Sequence, residues 1–527
     1  MKMNEPDPSK TYALPLISKT AFGLWLSALI FFVNCNGKSS FPPADHASLE
    51  QVYVPVLQDR FTGIARINMD LPGAQELTDV KISLEGSVLP EAVRVILVQE
   101  GVGEKLLSGA FSEDGKSWDL SEKESLLMGD QHLDIQVKMG SECDLTGRFS
   151  VEIPYIGLSG TRQTPVVSKP FLPYRIGKAL RDAGDDGVAA FRIPGMATSK
   201  VGTLLAVYDV RHANSSDLQG DIDVGLSRST DGGKTWEPMK IIMDMGEWGG
   251  LPEEQNGIGD PAILVDEQSG TIWVVALWMH GKPETAAWNS SEPGLDPTET
   301  GQLMLVKSED DGRTWSDPIN ITEPMKDPSW QLFFNGPGKG ITLKDGTLVF
   351  AAQYKDAEKT PHSTLIFSKD RGKTWQVGTG AKPNTTEAQV VELADGSLML
   401  NMRDDRGGAR SVAITRDLGR TWEEHPTSRK SLIEPICMAS LYRFSEGLLL
   451  FSNPAATDGR YNISLKASED GGMSWPASAQ VLLDEEKGWG YSCLSTVDEN
   501  HVGILYESSQ AHMTFQIVPI SDLLAKK

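Results

Sequence analysis

Cysteine is scarce in this chain of 527 residues, and the four copies are scattered. Cys35, Cys143, Cys437 and Cys493 show no Cys-x-x-Cys spacing, which argues against both a zinc site and a disulfide framework. No cluster of His, Cys and Asp has ligand spacing, so neither a metal nor another cofactor is expected. Positive charge is also short: 49 Lys and Arg against 72 Asp and Glu leave a formal net charge of −23. Nucleic acids and anionic membranes need basic patches, so neither is expected as a partner. An anionic ligand needs specific arginines that concentrate charge locally. The apolar stretch from Ala21 to Val33 falls short of a comfortable bilayer span.

That stretch ends at Asn34-Cys35-Asn36-Gly37, with polar Lys38-Ser39-Ser40 behind it. Residues 1–36 therefore read as an export signal, which sends the protein to the periplasm, the outer membrane or the medium. Cys35 is placed like the lipidated cysteine of bacterial lipoproteins, so a lipid anchor there is one expectation. The preceding Phe32-Val33-Asn34 departs from the usual lipoprotein pattern.

What the chain does have is turns, with 51 glycines and 30 prolines, and short alternating apolar runs. Val93 to Val98, His132 to Val137 and Phe149 to Ile153 are such runs. Residues 37–160 thus read as a β-sandwich, for which a sugar-binding role and a plain packing role both fit. Residues 161–174, with Pro165, Pro170 and Pro173, read as a linker to a region spanning 175–527.

In that region a pattern Ser/Thr-x-Asp-x-Gly-x-Thr/Ser-Trp recurs at Ser229–Trp236, Ser308–Trp315, Ser368–Trp375, Thr415–Trp422 and Ser468–Trp475. The aspartate can bond amides across a tight turn, the glycine supplies positive φ, and the tryptophan pins the turn to a sheet. These aspartates read as turn caps. Spacings of about 50 to 80 residues suit the blades of a β-propeller, and the remaining length suits six. The expected fold is therefore all-β, a six-bladed propeller preceded by a β-sandwich.

Phe191-Arg192-Ile193-Pro194 sets one arginine among apolar, β-prone residues, where a guanidinium calls for an anion. Together with the five repeats, this motif resembles the exo-sialidases of bacteria, over about residues 174–520. The resemblance implies three arginines that clamp a substrate carboxylate: Arg192, Arg403 and Arg460. It implies Tyr491 as nucleophile with Glu387 as its base, Asp217 as acid/base, and Glu507 as the acid that orients Arg192. Arg211, Asp260 and Gln353 resemble substrate-contacting residues. The substrates implied are sialylated glycoproteins, glycolipids or oligosaccharides. Transfer of the sialyl group, release of a related nonulosonic acid, or a non-catalytic glycan-binding propeller are the competing expectations.

The chemistry fits those residue types. Sialic acid carries its carboxylate on the anomeric carbon, and a carboxylate nucleophile about 4 Å away would be repelled by roughly 4 kcal/mol at an effective dielectric near 20. A neutral tyrosine avoids this, and sialidases are a recognised exception to the two-carboxylate scheme. Asp221 and Asp223 compete with Asp217, Glu392 with Glu387, and Tyr461 and Tyr506 with Tyr491. Arg406 and Arg410 compete with Arg403 and read as paired surface charges.

Overall fold

The computed structural model describes residues 43–282 and 285–524; the export segment and Cys35 lie outside them. Strands dominate, and among the described residues no helix is long and apolar enough to cross a membrane. Five separate, mainly antiparallel sheets follow one another along the chain in a β-propeller arrangement. The first comprises Ala190–Thr198, Leu204–Arg211, Ile222–Ser229 and Lys240–Met243, and the others repeat this up-and-down order. Their first strands are Ile258–Val265, Leu332–Asn335, Thr385–Glu392 and Ser440–Ser445. The last of these packs against Ser492–Asp498, which in turn packs against Ala190–Thr198. Ser492–Asp498 pairs with His501–Tyr506, then Met513–Pro519, then Tyr174–Arg181, within a larger sheet that runs on into the N-terminal strands.

The repeats form tight turns, as their composition implies. In the first, Ser229 Oγ accepts from the Gly233 amide at 2.8 Å, and Asp231 accepts from the Thr235 amide and hydroxyl. Trp236 Nε1 donates to the Gly233 carbonyl at 3.1 Å. The carboxylates of Asp310, Asp370, Asp417 and Asp470 bond their own turns in the same way.

The expected linker is in part a strand. Thr161–Val167 runs antiparallel to Arg148–Leu158 and parallel to Pro43–Gln51, and only the residues just after it are irregular. Its Pro165 is buried, in a strand held between two neighbours whose pairing with it sequence alone does not reveal. One continuous apolar cluster takes in Ile64, Ile82 and Phe149 from the N-terminal strands and Tyr208 and Phe515 from the propeller.

In an antiparallel hairpin the start of one strand lies beside the end of the next. Arg192, Asp260 and Glu387 stand at the starts of first strands, while Arg211 and Arg403 stand at the ends of second strands. All therefore gather at one end of the propeller.

Candidate active site

A pocket of about 360 Å³ opens there, lined by Asp217, Asp260, Gln353, Glu387, Arg403 and Tyr491 among others. Tyr491 is only 6 % exposed. Its hydroxyl donates to Glu387 Oε1 and accepts from Arg403 NH1 at 3.0 Å, and the same guanidinium bonds Glu387 Oε2 at 2.6 Å. Burial first, then the Glu387 charge, push the Tyr491 phenol well above its ordinary range, so it is protonated.

Arg192 is held from behind. Its Nε bonds Glu507 Oε1 at 2.7 Å, and that oxygen also accepts the Ile193 amide at 2.9 Å. The other Glu507 oxygen accepts the Tyr491 amide at 3.0 Å. One fully buried carboxylate thus fixes both the first arginine and the backbone of the tyrosine. The guanidinium lies 4.7 Å over Trp489. Arg460 donates to the carbonyls of Trp489 and Ile436 at 3.0 and 3.2 Å, with its guanidinium 5.5 Å from the Tyr491 ring.

Asp217 lies on the loop between the second and third strands of the first sheet, 2.8 Å from Arg211 NH1 and 3.8 Å from Arg192 NH1. Desolvation opposes its ionisation, but Arg211 and Arg192 outweigh that and hold its carboxyl below the usual range. Arg211 is also bound through Nε and NH2 to Asp209, and Asp209 accepts the Asp260 amide at 2.8 Å. Asp260 stands with φ at 57°, and burial followed by Asp209, Asp217 and Glu387 pushes its carboxyl well up. A neutral Asp260 can donate a hydrogen bond. Gln353 donates to the Asn335 carbonyl at 3.3 Å, and its Oε1 has no partner among the described residues.

All ten residues read from the sequence as site residues gather at this end of the propeller, and the decoys other than Asp221 are occupied by partners of their own. Glu392 accepts the Lys344 amide, at the far end of its strand from Glu387. Asp223 binds His212, Tyr461 binds Asp458 and Tyr506 binds Gln516. Asp221 does not line the pocket. Arg406 pairs with Asp404 as expected. Arg410 corrects its reading as a surface charge: it is 1 % exposed and donates to Glu434, Asn401 and the Cys437 carbonyl. The reason is the two-stranded sheet of Gly408–Ala409 with Ile433–Glu434, which folds the glycine-rich loop inward. Asp209 and Trp489 were not anticipated. The Asp-x-Arg spacing that puts Asp209 and Arg211 on one strand face was the available signal for the first.

Cys143, Cys437 and Cys493 are free thiols. Asp223, Asp244 and Glu253 bring ligand oxygens close enough to share a cation, but none of them lines the pocket.

Residues 202–505 match the model of the BNR repeat-like domain. A sialidase of Bacteroides fragilis is 47 % identical over 523 residues, covering 91 % of this chain and 96 % of the relative. The chain belongs to the sialidase family. A sialidase of Micromonospora viridifaciens is 31 % identical over 62 % of this chain and 50 % of its own length. Among solved structures, the Hadza microbial sialidase Hz136 superposes with a TM-score of 0.85 at 43 % identity, covering 90 % of this chain and all of that one. This sialidase-family chain is accordingly a glycoside hydrolase, and the pocket at the end of its propeller is the candidate active site.

Proposed function

We propose that the chain is a retaining exo-α-sialidase that hydrolyses terminal sialic acid from glycoproteins, glycolipids or oligosaccharides. The observation that carries this reading is the Tyr491 hydroxyl, poised between Glu387 and Arg403 in a pocket that also contains Asp217. Arg192, Arg403 and Arg460 clamp the substrate carboxylate. Tyr491 Oη attacks the anomeric carbon as Glu387 takes its proton, and Asp217 protonates the departing glycosidic oxygen. In the second step Asp217 takes a proton from water, the hydroxide displaces the tyrosine, and Glu387 returns the proton to Tyr491. The arginines stabilise the charge that develops at the ring. Leu277, Leu332 and Phe334 offer an apolar wall to the N-acyl group. Asp260, Gln353 and Arg211 are left to read the hydroxyls.

The assay is release of 4-methylumbelliferone from its sialoside. Tyr491→Phe is expected to lower kcat by at least about a thousandfold while free sialic acid still binds. Unchanged turnover in the variant would remove Tyr491 as nucleophile.

We further infer six blades, the sixth being Tyr174–Arg181 with the three C-terminal strands, and a β-sandwich before them. Export through residues 1–36, with or without a lipid at Cys35, would bring this site to extracellular glycans.

A further inference from the structure

The wall formed by residues 286–289 belongs to the connection between strands Ile272–Trp278 and Gln302–Ser308. Buried lysines hold that connection. Lys355, 7 % exposed at the end of strand Leu348–Lys355, donates from Nζ to the Trp288 carbonyl at 2.8 Å and lies 4.6 Å from the Trp288 ring. Lys326, 3 % exposed, donates to the carbonyls of Gly294 at 2.5 Å and Trp330 at 2.7 Å. Burial lowers the affinity of both amines for their protons, Lys326 to about 8. The wall is also tied to the acid loop: the Ala287 amide donates at 2.7 Å to the carbonyl of Leu218, the residue after Asp217. A continuous chain of contacts thus runs from Lys355 through Trp288, Ala287 and Leu218 to Asp217.

Burying an ammonium against carbonyls is costly, and an apolar side chain of equal length would fill the same space. What the ammonium adds is a fixed direction for the carbonyls it binds. We propose that Lys355, assisted by Lys326, is a positioning residue: by holding the main chain at residues 288 and 294 it sets the pocket wall and, through the Ala287–Leu218 bond, the reach of Asp217 to the leaving oxygen. This rests on the sialidase reading and on Asp217 as its acid. Lys355 itself does not line the pocket.

The test is Lys355→Met in the full chain, assayed on 4-methylumbelliferyl sialoside and on sialyllactose. The first has an acidic phenol leaving group that needs little protonation; the second expels a sugar hydroxyl that needs it fully. We expect kcat/KM to fall about tenfold more on sialyllactose than on the aryl sialoside. Equal losses on both substrates, or no loss, would overturn the positioning role. Should Lys355→Met fail to fold, Lys326→Met is expected to show the same split, and equal losses or no loss in that variant would overturn the role in the same way. A wild-type enzyme inactive on both substrates would instead overturn the proposed function, and this inference with it.

Discussion

Burial keeps the Tyr491 phenol protonated, whereas Arg211 and Arg192 favour loss of the Asp217 proton. In the free enzyme the proposed acid is therefore ionised over most of the pH range, the wrong state for donating a proton. A substrate carboxylate bound to Arg192 would cancel part of that positive field and let the Asp217 carboxyl rise. The sign follows for the first step, which needs protonated Asp217: kcat/KM reports the free enzyme and, where that step limits turnover, kcat reports the complex, so both fall on the alkaline side. The alkaline limb of kcat should lie at higher pH than that of kcat/KM, as initial-rate profiles on sialyllactose would show. Coincident limbs would mean that substrate does not relieve the arginine field. At this scale the sequence motifs carry Arg192, Arg403, Glu387 and Tyr491, because each sits in a short local pattern. Asp209, Trp489 and the burial of Arg410 depend on strand register and on how a loop folds back, which no local pattern encodes.

In each repeat the bonds of the aspartate lie within eight residues and can be read from sequence directly, whereas the Trp422 indole reaches out to the Thr379 carbonyl. Asp310 illustrates the energetics. Its carboxylate accepts from Ser308 Oγ and from the amide and hydroxyl of Thr314. The Thr314 hydroxyl and amide are the main reason its carboxyl is held at about 2. A folded-state value below the unfolded one near 3.9 adds stability that is present above about pH 4 and lost as pH falls through about 2. Asp370 and Asp417 are also held at about 2 by their own turns, so these three boxes share one acid limb. Asp310→Ala should cost about 1 kcal/mol of stability in urea titration at neutral pH, with kcat unchanged. A fall in kcat would contradict the purely structural role of the box. The strand Thr161–Val167 shows a different situation: one of its two partners, Pro43–Gln51, lies far off in sequence, and Pro165, which suggests a linker, is accommodated there by an uneven pairing.

At the level of the whole molecule, strand Tyr174–Arg181 joins the two regions, pairing with Arg148–Phe149 on one side and with Met513–Phe515 on the other. Tyr174 stacks between Tyr53 and Phe149, and its hydroxyl donates to the Ile64 carbonyl at 2.6 Å. Asp522, near the end of the described chain, pairs with both Arg148 and Arg175. Burial lowers the Arg175 guanidinium to about 10, so removing its carboxylate partner would leave a charge with little solvent to replace it. Because one apolar cluster spans both regions, they should unfold together. Asp522→Ala is expected to cost about 3 kcal/mol in urea titration while keeping a single transition by fluorescence and by circular dichroism. Loss of less than about 1 kcal/mol would show that the apolar join suffices without the ion pair. Two separated transitions, in the wild type or the variant, would show that the N-terminal strands and the propeller fold as independent bodies.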